Sequence, residues 1–87
     1  VDKDNQLIGA SRTLPEAVPV EVNRMNIHIT EAVTDTHLQG EMIVLLNDLA
    51  QSSEVIDRAL AMADRMIQAR GMPIYLKDEF VASILIF

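Results

Sequence analysis

Residues 53 to 71, SEVIDRALAMADRMIQARG, constrain this chain most, because they read as a complete helix with a start, a buried stripe and a stop. Val55, Ile56, Ala59, Leu60, Ala63, Met66 and Ile67 recur at three- and four-residue spacing, which places them on one helix face. Glu54, Asp57, Arg58, Asp64, Arg65 and Gln68 fall on the other. Ser52 or Ser53 can accept a hydrogen bond from a free N–H of the first turn. Glu54 and Arg70 suit the two ends of the helix dipole. Gly71 is placed for a left-handed C-terminal cap, and Pro73 bars continuation.

A second helix is predicted from about His37 to Ala50, with Leu38, Met42, Leu45, Leu46 and Leu49 as its stripe. Thr34 or Thr36 can cap it, Gly40 weakens its first turn, and Val44 lies off the stripe. The turn around Gln51 and Ser52 is short, so the two helices must be neighbours. Before them, Arg24 to Thr30 alternates. Met25, Ile27 and Ile29 share one face of a half-buried strand, with Arg24, Asn26, His28 and Thr30 on the other. A lone strand cannot stand, so it pairs with a later segment or with its copy in a second chain. Residues 1–19 read as an extended arm, since Pro15 and Pro19 forbid regular structure between them. At the other end, the apolar run from Phe80 to Phe87 suits a buried strand or a short buried helix, and Asp78, which can cap a helix, favours the helix.

Composition then narrows the class. The 87 residues make one domain, and a chain this short buries a modest share of its surface. There is no cysteine, so neither disulfides nor a Cys-based zinc site can stabilise it. Self-association is the remaining common route, and an apolar content of 49% points the same way. A net charge of −6 argues against a broad basic face for nucleic acid. No apolar run is long enough for a membrane span, and the opening VDKDNQLIG is too polar for a signal peptide. A cytoplasmic protein is the expectation.

The search for chemistry excludes more than it finds. No serine sits in a glycine-flanked elbow. His37 and Glu41 share a helix face, yet that is at most half a metal site, and His28 is the only other histidine. From Asp2, the sixth and twelfth positions of a calcium loop would be Leu7 and Thr13, which rules the loop out. No glycine-rich phosphate loop is present. We therefore expect no catalytic residue, no metal ligand and no cofactor.

A strand with Arg24, Asn26 and His28 outward, a helix, a short turn and the sequence SSEVIDRAL together resemble the ribbon–helix–helix family of small repressors and antitoxins. The resemblance implies a dimer whose paired strands enter the major groove. It implies that Arg24, Asn26 and His28 contact bases and that Ser52 and Ser53 hold a phosphate.

The sequence as a whole predicts a helix-rich α+β domain over residues 20–87: a short strand, two packed amphipathic helices and a short apolar C-terminal element. The arm over 1–19 precedes it. The expected function is that of a small non-enzymatic interaction or regulatory protein, working through self-association, as a dimer, and through a protein partner. The DNA-binding regulator is the alternative, and no membrane is involved. Met25, Ile27, Ile29, Met62, Phe80, Ile84 and Phe87 are the candidate interface residues. Methionines adapt to irregular partners, and an apolar tail needs cover.

Overall fold

The computed structural model describes every residue from Val1 to Phe87. Its elements are β1 (Gln6–Leu7), α1 (Leu14–Ala17), β2 (Ile27–His28), α2 (Ile29–Ala32), α3 (Thr36–Ser52), β3 (Ile56–Ala61), β4 (Met66–Leu76) and β5 (Glu79–Ile86). β3, β4 and β5 form an antiparallel meander with β4 central, and β1 pairs with β2 in a separate ladder. Helix makes up about 29% of the chain and strand 37%. The helix-rich expectation is thus corrected: one long helix packs on a three-stranded sheet.

α3 forms on the expected stripe. Leu38, Met42, Leu45, Leu46 and Leu49 are all buried, and Val44 faces out. Its cap is Asp35, between the two threonines expected to serve. One carboxylate oxygen of Asp35 accepts the Leu38 N–H at 3.0 Å, and the other accepts the Ala63 N–H at 2.9 Å in the β3–β4 turn. A single side chain thereby fixes both the helix start and the hairpin tip.

The Ala63 N–H, and after it the Leu38 N–H, hold the Asp35 carboxyl below its ordinary value of 3.8. A depressed folded-state pKa gives stability that is complete above the unfolded value and lost as pH falls through the folded one. The urea midpoint should therefore fall as acid protonates Asp35, starting below about pH 5, and Asp35→Asn should flatten that limb. Equal acid sensitivity in the variant and the parent would show that Asp35 does not couple the two elements.

The segment predicted as a second helix is instead β3, a turn and β4. Ser53, expected to open that helix, closes α3 in the left-handed region at φ 60°. The ladder runs from Ile56 opposite Gly71 to Ala61 opposite Met66. Ile56, Arg58 and Leu60 turn toward α3, as do Ile67, Ala69 and Gly71 across the ladder. Inward Arg58 breaks the alternation that would have marked a strand; its guanidinium reaches Asp48 on α3 at 2.8 Å. Outward Ala59, Ala61 and Met66 blur it further. Alanine, methionine and arginine favour a helix in isolation, but burial against α3 overrides that preference.

Gly71 has no positive φ and caps nothing. A Cβ there would lie 2.5 Å from Leu49 Cδ1, so the missing side chain lets β4 approach α3 closely. Pro73 lies inside β4 opposite Ser83. Ser83 directs its N–H away from β4, to the Val1 carbonyl at 2.7 Å. The Pro73–Ser83 pair is therefore a non-hydrogen-bonded one. The proline nitrogen faces the flank beyond Gly71, where β3 pairing has ended, and no ladder bond is lost.

Lys77 and Asp78, with φ of 52° and 65°, form the two-residue turn into β5. The helix favoured from sequence for residues 80–87 is thus corrected to a strand, which ends at Ile86. It carries one bulge: Ile74 opposes Ala82 and Tyr75 opposes Phe80, leaving Val81 unopposed.

The strand expected over Arg24–Thr30 shrinks to β2. Asn26 at φ 61° turns the chain just before it, and Ile29 opens α2 just after. Residues 1–19 lie against the domain. Leu7 and Val18 are buried, and Pro15 sits in the first turn of α1, where a missing N–H costs nothing. Asp2 bridges to Ala82 on the edge of β5.

Candidate functional site

Two surfaces stand out from this architecture. The first is the face of the sheet turned away from α3. Strand pleating puts Gln68, Arg70, Met72, Ile74 and Leu76 of β4 there, with Ile84 and Ile86 of β5. Met66, Ile74, Leu76, Ile84 and Ile86 are between 39% and 64% exposed. The charges at its edge answer each other. Arg70 donates to both carboxylate oxygens of Asp57, at 2.7 and 3.1 Å. That fork holds the Asp57 carboxyl below its ordinary range and the Arg70 guanidinium above its own. The face is thus mainly apolar, with the Asp57–Arg70 pair satisfied within the chain and Glu79, opposite Leu76, at its far end.

The second is a cleft of about 450 Å³ between the Leu7–Leu14 segment and β5. Of the 18 residues lining it, 15 are hydrophobic, among them Leu7, Leu14, Val18, Met42, Leu85 and Phe87, and no lining side chain is ionisable. Its polar side chains are two serines. Ser11 pairs with Thr13 at 2.9 Å. Ser83 is 2% exposed, and its hydroxyl has no hydrogen-bond partner.

The residues singled out from sequence scatter. Ile29 and Met62 belong to the buried core. Ile27 and Phe80 are half-buried in β2 and β5, and Phe80 meets Tyr75 edge-on at 5.7 Å. Met25 is exposed in the loop before β2. Ile84 lies on the open sheet face and also at the cleft, while Phe87 and the buried Ile29 belong to the cleft wall, so these three reach the surfaces described.

Nor do the base-contact candidates form a set. Arg24 lies 3.7 Å from Glu31, Asn26 is in the turn, and the His28 ring meets the Thr30 hydroxyl at 2.8 Å. Ser52 and Ser53 end a helix rather than start one, so no free N–H cluster for a phosphate forms there. Sequence reasoning missed Leu7, Leu14 and Val18, which lie in the segment read as an extended arm. It also missed Ser83, the one polar break in an apolar run. No three of the chain's histidine, aspartate and glutamate side chains converge on a point. No helix is long and apolar enough to cross a membrane. No protein-family model, curated protein or solved structure matches the chain.

Proposed function

We propose that this chain is a small non-enzymatic interaction protein that works by self-association, with a second copy of itself seated on the open face of the sheet. The observation that supports this reading is the row of exposed Met66, Ile74, Leu76, Ile84 and Ile86 on one sheet face, in a chain with only 16 buried residues. Monomers seldom leave so continuous an apolar surface in water. A copy of the same face is a suitable occupant because the Asp57–Arg70 pair neutralises itself within each chain. Two such sheets can then pack face to face over that satisfied pair, with Glu79, opposite Leu76, kept at the rim by the turn end of the sheet. The remaining obstacle is the net charge of −6 on each chain. Salt should screen that repulsion and strengthen association.

Light scattering behind size-exclusion chromatography tests this over a range of protein concentrations. The mass should rise toward twice the monomer value as concentration increases, and rise sooner at higher salt. Leu76→Lys with Ile86→Lys should weaken association at least tenfold, or about 1.4 kcal/mol. Both substitutions lower the net negative charge, so added repulsion could not explain the loss. A monomer mass throughout, with unfolding independent of concentration, would refute the proposal.

A further inference from the structure

We infer that the cleft between the Leu7–Leu14 segment and β5 is a binding site for a small, uncharged, mainly aliphatic molecule carrying one hydrogen-bonding group. This goes beyond self-association and uses a cleft that shares Ile74 and Ile84 with the open sheet face but is otherwise separate from it. At about 450 Å³ the cleft is within the size range of small-molecule sites. Its wall is mostly leucine, isoleucine, valine, methionine and phenylalanine, drawn from the first twenty residues, α2 and its C-cap, α3, β4 and the C-terminal end of the chain from β5 on. Such a cleft leaves apolar side chains against water, at a cost proportional to the apolar area exposed. A domain of this size has little stability to spare. An apolar occupant covers that area.

The chemistry of the wall defines the occupant further. No side chain of the lining offers a counter-charge, so an ammonium head placed inside would remain unpaired; a carboxylate would meet only the Val1 α-ammonium, which already donates to the Ser83 carbonyl at 3.1 Å and whose charged form burial disfavours. One polar group is accommodated. Ser83 and Leu85 lie on the same face of β5 and both line the cleft. The Ser83 hydroxyl is the buried side-chain polar atom that the fold leaves unpaired. Buried hydroxyls are normally satisfied, and a ligand hydroxyl or carbonyl beside Ser83 would do so here.

Octanol and the octanoate ion are the probes, since they share the chain and differ in the charge of the head. Titration of the whole protein is followed by amide NMR shifts. Octanol should give saturable shifts at Leu7, Leu14, Ser83 and Leu85, and octanoate should bind at least tenfold more weakly. Ser83→Ala should weaken octanol roughly fivefold, the value of one ordinary hydrogen bond. Leu14→Trp should fill the cleft and abolish saturation; if that variant fails to fold, Leu14→Phe should reduce affinity in the same direction. Three results would overturn the inference. One is the absence of saturable shifts, another is equal binding of octanoate, and the third is octanol shifts confined to Met66, Gln68 and Leu76 on the open sheet face. Because those three residues lie outside the cleft, shifts there that follow protein concentration report self-association separately.

Discussion

Leu46→Asp should abolish the folded state. Leu46 is 2% exposed at the middle of the α3 stripe, pressed between the helix and the sheet. An aspartate there has no cationic partner and no donor within the aliphatic core. It must stay ionised at a cost of several kcal/mol or take up a proton and lose less, and the leucine packing is lost as well. A small domain holds only about 5–15 kcal/mol in total. Circular dichroism in buffer should show an unfolded or fluctuating chain. Val44→Asp is the control on the same helix, because Val44 points to water. It should change stability by no more than about 0.5 kcal/mol. A wild-type urea midpoint for Leu46→Asp would mean that α3 does not face the sheet as described.

Gly71→Val pits strand propensity against packing. Valine suits a strand far better than glycine does, so propensity alone predicts stabilisation of up to ~1 kcal/mol. The contact with α3 predicts the opposite. An added Cβ would sit 2.5 Å from Leu49 Cδ1 and 3.3 Å from its Cγ, and Leu49 is fully buried with little room to turn. Overpacking of this kind costs about 1–3 kcal/mol, and valine carries two further methyl groups. The substitution should therefore destabilise. Leu49→Ala on its own should cost about 2–5 kcal/mol by leaving a cavity. Combined, the two changes should cost clearly less than their sum, since each relieves the defect of the other. A strictly additive double variant, or a stabilised Gly71→Val, would place β4 farther from α3 than it lies here.

The sequence announces α3 openly because its five-residue stripe has no competing pattern. Leu38, Met42, Leu45, Leu46 and Leu49 can all be buried together only on a helix. The β3–β4 hairpin is hidden because its residues satisfy two periods at once. Ile56, Leu60 and Ile67 fit a helix face as well as a strand face, and the residue that would decide, Arg58, points inward to meet Asp48. Signals of chain punctuation mislead for a related reason. A serine with a polar neighbour suits the beginning of one helix as well as the end of another, and a glycine before a proline can close a helix or thin a strand. Only the opposing element distinguishes these uses, as Leu49 does for Gly71. The cleft was the least legible feature. Leu7, Leu14 and Val18 are separated by polar and small residues, and they come together only after the first twenty residues fold back onto α3 and β5.

The pairing of Val1 with Ser83 sets the order in which the molecule can be completed. These residues are 82 apart in sequence, yet they exchange backbone hydrogen bonds at 3.1 and 2.7 Å. From α3 to β5, by contrast, each element follows its packing partner after a short turn. Such local contacts form with little loss of chain entropy, whereas joining distant segments must wait for a large loop to close. During synthesis the first residues leave the ribosome long before the strand edge that will hold them exists. β1 can pair with β2 early, but Val1 and Asp2 reach their strand edge only once β5 has emerged. The cleft, whose two walls come from the earliest and the latest parts of the chain, is thus assembled in the final closing step. Until then the aliphatic side chains of both walls face water.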